Sequence, residues 1–240
     1  MLNSKKDMYR IGLILPSSNT TMEPEFNRIM SAYATVHSTR IRLREVTASQ
    51  LETMERETEH AAGQLSDANV DVICYGCTSG SLFRGLGHDK EIVRRIEKEA
   101  QVPAVATAGA VVEGLKALEV RRVSVATPYT EEIELLEDRF LRDNDFEVVS
   151  INSLGLAKNL DIGAQDPDIA YALAKKVCKG DSEGVFISCT NFRTVEIVGK
   201  LEAELGKAVV SSNTATAWKA LRLLGIRDSL LGYGRLLDLK

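Results

Sequence analysis

The sequence predicts an α/β fold of two pseudo-symmetric, Rossmann-like lobes with parallel sheets and an active site in the cleft between them. Three observations carry this. Short apolar, β-branched runs alternate with helical patterns along the chain, as in parallel sheets covered on both faces. The stretch Val72-Ile-Cys-Tyr-Gly-Cys77-Thr-Ser-Gly-Ser81 has an echo in Val185-Phe-Ile-Ser-Cys189-Thr-Asn-Phe-Arg193. Leu13-Ile-Leu-Pro16 is echoed by Val125-Ala-Thr-Pro128, and both matches sit at one offset of 112 residues. A shared offset divides the chain into a first lobe, 1–118, with Cys77 and a second, 119–240, with Cys189. The last helix, about 213–225, is a candidate to pack back on the first lobe.

The elements follow in order. Residues 9–15 form a buried strand that Pro16 ends, and Ser17-Ser-Asn-Thr-Thr is a polar loop with several possible caps. Helical spacing runs through Phe26, Ile29 and Met30. Residues 36–46 alternate and predict the second strand. A polar helix covers about 47–68, and Val70–Tyr75 is the third strand. An amphipathic helix starts at a cap on Asp89, Val102-Pro-Ala-Val-Ala is a short strand, and 108–118 is a helix. The pattern then restarts. Strands are predicted at 123–126, 147–154, 184–188 and 208–211, with helices at 130–144, 167–178, 194–205 and 214–224. The acidic start of the 130–144 helix suits its positive end. Residues 155–165 read as a loop, Asn213 or Thr214 as the last cap, and Gly225 as the stop.

Composition narrows the function. The chain has 240 residues, 44% of them hydrophobic, which is enough for a large core. A net charge of −4, mixed along the chain, gives no basic stripe for nucleic acid. No apolar run is long enough for a membrane helix, and Met1–Asp7 lacks the apolar segment of a signal peptide. The cytoplasm is the resulting expectation, and four cysteines there read as thiols. Cys74 and Cys77 form a Cys-x-x-Cys spacing, but no second pair completes a metal site. There is no phosphate loop, no dinucleotide fingerprint and no His-Glu-x-x-His. No cofactor and no metal are expected.

Residues just after each strand lie at its carboxyl end, where open α/β sheets place ligands. Pro16–Asn19, Cys77–Ser79, Pro128–Tyr129 and Cys189–Asn191 all fall there. A thiol at a helix start is biased toward thiolate, and the same helix ends offer N–H groups to carboxylates. Thr78, Ser79 and Thr190 add hydroxyls, and Asn19, Asn191 and Tyr129 add further donors. Such loops suit a small carboxylate held by neutral donors, as in chemistry that builds an enediolate. Facing thiols could pass a proton from one face to the other, or one could add to a double bond while the other assists.

Each residue also has a plainer reading. Cys74 and Cys178 are read as small buried residues. Asn19 could cap the first helix, Tyr129 could be packing, and Asn159 could be a turn residue. Arg84 and Arg193 could bind carboxylates but are assigned to surface or interface salt bridges, Trp218 to packing, and His37, His60 and His88 to exposed positions without a catalytic role. The two-lobed pattern also fits a non-enzymatic small-carboxylate binding protein with incidental cysteines.

Six motifs add a resemblance that runs from about Ile11 to Ile226: Leu-Pro-Ser-Ser-Asn19-Thr-Thr-Met-Glu, Gly-Cys77-Thr-Ser, Thr-Pro-Tyr129, Leu-Ala-Lys-Asn159, Ser-Cys189-Thr-Asn, and Val-Val-Ser-Ser-Asn-Thr-Ala-Thr-Ala-Trp218. The chain resembles the Asp/Glu racemase superfamily, in its branch of maleate cis-trans isomerases and arylmalonate decarboxylases. The resemblance implies that Cys77 adds to the double bond of maleate and gives a succinyl-cysteine-like intermediate. Cys189 would handle the proton on the opposite face. Asn19, Tyr129 and Asn159 would hold substrate carboxylates, and a homodimer is implied. The run Gly-Cys-Thr-Ser-Gly-Ser-Leu-Phe-Arg-Gly is closer to the decarboxylases, in which Thr78, Ser79 and Tyr129 would line a dioxyanion hole. Those enzymes usually carry glycine at the position of Cys77. Isomerisation of maleate to fumarate is thus the leading reaction, ahead of a two-cysteine racemase of an amino or arylaliphatic acid and an arylmalonate-type decarboxylase.

Overall fold

The computed structural model describes residues 8–240, so the reading of Met1–Asp7 lies outside the described residues. The first half runs β1 (Tyr9–Pro16), α1 (Met22–Met30), β2 (Ala34–Ile41), α2 (Ala48–Arg56), α3 (Thr58–Asp67), β3 (Val72–Tyr75), α4 (Thr78–Leu82), α5 (His88–Ala100), β4 (Ala104–Ala106) and α6 (Thr107–Ala117). The second runs β5 (Arg122–Thr127), α7 (Glu131–Asp143), β6 (Glu147–Ser153), α8 (Asn159–Gly163), α9 (Pro167–Val177), β7 (Gly184–Ile187), α10 (Val198–Leu205), β8 (Ala208–Ser211), α11 (Ser212–Leu223) and α12 (Arg235–Asp238).

Both sheets are parallel and four-stranded, with the same order: β2-β1-β3-β4 and β6-β5-β7-β8. All residues of β3 and β8 are buried, as expected of strands covered on both faces. Equal order puts β1 and β3 beside each other in one sheet and β5 and β7 in the other. Their carboxyl ends carry the loops that the sequence singles out. The apolar clusters cross between halves: one joins Ile11 and Leu13 to Val123 and Phe186, the other Ile73 to Ala126 and Val185.

Several local readings need correction. The 47–68 helix is two helices with a break at Glu57, where neither neighbouring turn continues. The start of α5 is Gly87, with φ 87°, and Asp89 lies inside the first turn. A capping box of Ser211 and Thr214 starts α11, displacing Asn213 or Thr214 as the cap. The 155–165 segment contains α8, and the tail contains α12, with Leu236 and Leu237 buried. α11 lies on α6: Thr216 Oγ1 donates to Thr107 Oγ1 at 3.1 Å. No helix among the described residues is long and apolar enough to cross a membrane.

Candidate active site

The cysteine loops begin where β3 and β7 run out. After Tyr75 comes Gly76, where a Cβ would lie 2.5 Å from Met22 Sδ and 2.6 Å from Leu15 Cδ2. Glycine here lets the Met22 and Leu15 side chains pack directly on the backbone, and a larger residue would displace both. Cys77 then takes the cap position of α4 with extended backbone. Its sulfur stands where a cap oxygen normally sits and accepts the Gly80 N–H at 3.3 Å. Ser79 Oγ is 3.6 Å from the same sulfur. The first N–H groups of a helix have no in-helix acceptor, so α4 directs donors at this end.

On the other side Cys189 sits at φ 83°, in the left-handed region that costs a residue with a Cβ. The bend lets its sulfur accept the Asn191 N–H at 3.3 Å. Backbone strain at a reactive side chain is the kind of outlier that points to function.

The structure gathers the sequence-predicted site residues into one buried cluster. Thr190 Oγ1 accepts from Asn19 Nδ2 at 3.0 Å and donates to the Gly76 carbonyl at 3.0 Å. Asn19 also receives the N–H groups of Thr21 and Met22 on Oδ1, so it shapes the entry to α1 as well as reaching the second half. Asn159 Nδ2 donates to Ser18 Oγ at 2.9 Å, and its carbonyl accepts from Asn191 Nδ2 at 2.6 Å. Thr78 Oγ1 donates to Ser212 Oγ at 2.8 Å. Tyr129 is fully buried beside the cysteines and influences the ionisation of Cys189. Both cysteines are only 4% exposed.

A short antiparallel pairing closes over this cluster. Val46 N–H donates to the Ala157 carbonyl at 2.8 Å, and Asn159 N–H to the Arg44 carbonyl at 2.9 Å, with Glu45 opposite Lys158. At the 112-residue offset, position 45 corresponds to 157 and 46 to 158, so the two strips are equivalent parts of the halves. Below them Gly163 lets α8 approach, since a Cβ there would lie 2.5 Å from Thr20 Oγ1.

Electrostatics separates the two thiols. Burial pushes Cys77 up, while bonds from Ser79 and Gly80 pull it back. Burial pushes Cys189 up to about 12; Tyr129 and Asn191 pull it back, but the negative charges of Cys77 and Glu137 push it further. Once one charge is present, it belongs at Cys77 and the proton stays on Cys189. Tyr129 is held well above the usual phenol range by burial and by the charges of Cys189, Glu137 and Cys77, so it remains a hydrogen-bond donor.

Outside the cluster, the plain readings are mixed. Cys74 is in the core, whereas Cys178 is half-buried. Arg84 pairs with Glu52 and Glu55 on the surface, and Arg193 lies 3.8 Å from Asp166. Trp218 packs against the core. His88 is buried rather than exposed, with its ring edge-on to Phe83 at 5.0 Å.

Sequence reasoning missed Ser18, Ser212 and Glu137. Glu137 had a readable signal: it occupies the apolar stripe of α7 with Ile133, Phe140 and Leu141, and a carboxylate in such a stripe needs a partner. Ser18 and Ser212 are small polar residues whose partners lie 141 and 134 positions away, beyond any local pattern.

Comparisons with known proteins agree with this geometry. A family model described as arylmalonate decarboxylase matches residues 11–237. The chain is 32% identical over 244 residues to the maleate isomerase of Pseudomonas putida, covering 96% of this chain and 98% of that one. It is 30% identical over 188 residues to the arylmalonate decarboxylase of Bordetella bronchiseptica, covering 77% and 78%. Among solved structures, a variant of the Nocardia farcinica maleate cis-trans isomerase with a covalently bound succinylcysteine intermediate superposes with a TM-score of 0.93 at 29% identity, covering 96% and 98%.

Proposed function

We infer the reaction from a plain premise: the chain belongs to the family of arylmalonate decarboxylases and maleate isomerases. It is a cis-trans isomerase that converts maleate to fumarate by cysteine catalysis. The observation that carries this reading is the pair of buried cysteines at the ends of β3 and β7, each with a backbone N–H donated to its sulfur at 3.3 Å.

The Cys77 thiolate adds to one alkene carbon of maleate. The displaced electron pair moves to the neighbouring carbon and into its carboxylate as an enediolate, and Cys189 gives that carbon its proton. The product is a succinyl-cysteine with a single bond where the double bond was, and this bond rotates. The Cys189 thiolate then takes back a proton, the C–S bond breaks, and fumarate leaves with Cys77 regenerated as thiolate. Atoms and charge balance without an external oxidant or reductant. Asn19, Thr78, Ser79, Tyr129, Asn159 and Thr190 hold the two carboxylates, with the protein–protein bonds of Thr78, Thr190 and Asn159 exchanged in part for bonds to substrate. Neutral donors fit here because they stabilise the enediolate as charge builds.

Residues 1–118 and 119–240 act as the two lobes of this site. The reading includes a homodimer and the cytoplasm, where thiols stay reduced. A racemase, the second reading, is favoured by one observation alone: thiols on two loops facing one site could exchange a proton across an α-carbon.

Proton NMR of the protein with maleate in deuterated buffer tests the proposal, with Cys77→Ala and Cys189→Ala run beside it. Fumarate from the wild type and from neither variant is the expected result. Maleate left unchanged by the wild type overturns it, and deuterium entering the α-position of aspartate, glutamate or an arylpropionate would move the assignment to a racemase.

A further inference from the structure

Behind Cys189 lies a carboxyl group that the reaction as written does not use. Glu137 projects from α7, is fully buried, and accepts a hydrogen bond from the Ser188 hydroxyl. Ser188 is the residue before Cys189, and its own N–H is fixed to the Ala126 carbonyl at 2.8 Å. Glu137 also lines a small cavity of about 10 Å³ with Thr78, the residue after Cys77. It therefore sits between the two cysteine loops. We propose that Glu137 is a positioning residue for the reaction: its buried carboxylate, held by Ser188, keeps the proton on Cys189, so that the second thiol is the acid and the first is the nucleophile. The purpose assigned here rests on the isomerase reading.

The groups around Glu137 are consistent with this. Burial raises its pKa to about 7, Ser188 and then Thr127 at the end of β5 pull it back, and Glu134 on its own helix raises it further. From α4 and α6 it meets Thr78, Leu82, Ala108 and Val111, none of them charged. Its negative charge is felt by Cys189 and by Tyr129, and it disfavours ionisation of both. By contrast, the groups acting on Cys77 are burial and two hydrogen-bond donors. Glu137 thus adds an electrostatic difference to the two cysteine settings, which already differ in backbone.

The test is the iodoacetamide alkylation rate of Cys189, followed by peptide mass spectrometry in a Cys77→Ser background, with and without Glu137→Gln. No substrate is involved, so a failed isomerase assay leaves this result standing. Near pH 9, where Glu137 is ionised, Glu137→Gln should alkylate Cys189 about threefold faster, because removing the charge raises the thiolate fraction by more than the lower thiol pKa reduces its nucleophilicity. Near pH 5, where the carboxyl is already neutral, the ratio should fall to about one. Cys74, buried in the core, stays unlabelled in both proteins and excludes general unfolding as the cause. A ratio that is the same at both pH values, or no acceleration at all, overturns the proposal. If Glu137→Gln fails to fold, Ser188→Ala serves instead: it withdraws the hydroxyl that favours the carboxylate, and should speed Cys189 alkylation near neutral pH, an unchanged rate again counting against the role.

Discussion

The side-chain hydroxyl of Thr190 donates a 3.0 Å hydrogen bond to the carbonyl of Gly76. The residue after one cysteine is thereby tied to the residue before the other. The same oxygen accepts from Asn19, so β1, β3 and β7 meet at one atom. Replacing Thr190 with valine keeps the shape but strands a buried carbonyl and a buried amide. Stability should fall by about 1–3 kcal/mol. Urea denaturation reads that loss, and kcat/KM with maleate should fall with it because the sulfurs are no longer held in register.

The strained backbone at Cys189 yields a second expectation. A residue with a Cβ at φ 83° costs about 1 kcal/mol relative to glycine. Cys189→Gly should therefore be more stable than Cys189→Ala by about that amount, although both lack the thiol and both should be inactive. Equal melting midpoints for the two would show that the backbone relaxes elsewhere.

The two cysteines should fail differently. With Cys189→Ser, the Cys77 thiolate still adds to the alkene and the enediolate carbon takes its proton slowly from water, but no competent base removes a proton to expel the sulfur. Intact-mass analysis after incubation with maleate should show one added maleate on Cys77. Cys77→Ala should gain no mass under the same conditions. An adduct on both, or on Cys189 alone, would reverse the assigned roles.

Glu137 ties stability to pH. Its carboxyl is raised from 4.5 to about 7 in the folded protein. Below about pH 4.5 both folded and unfolded forms hold the proton and burial carries no ionisation penalty. Between about 4.5 and 7 only the unfolded form releases it, so stability falls by about 3 kcal/mol and then levels off. Glu137→Gln should lack this component. The difference in unfolding free energy between the two proteins should change across that window and stay flat above it.

Much of the fold was legible because it depends on periodicity. Buried runs such as Val72–Tyr75 and Ala208–Ser211 are strands whose two covered faces leave a continuous apolar signal. The cysteine pair was legible because Pro16, Cys77, Pro128 and Cys189 repeat at one offset. Caps were not, because glycine at 87 and serine at 211 compete with equally good neighbours, and tertiary packing decides among them. His88 was misplaced for a similar reason: a polar residue at a helix start reads as exposed unless the ring of Phe83 is known to face it. The contacts of Asn159 depend on α8 lying against the first half, which no local pattern in 155–165 announces.

The repeated strand order has an implication for how such a catalyst can work at all. Two separate copies of one half would be identical and would present equivalent sulfurs, with no basis for one to attack while the other retains its hydrogen. Fusion into a single polypeptide removes that constraint. The 112-residue offset that relates Cys77 to Cys189 also relates Glu25 to Glu137. Glu25 is spent on three donors, the N–H groups of Thr194 and Val195 and the amide of Asn213. Glu137 has turned toward Ser188 instead. The twins have taken separate trades, one as a brace between halves and the other as a neighbour to a sulfur, and that divergence is open only to a duplicated chain.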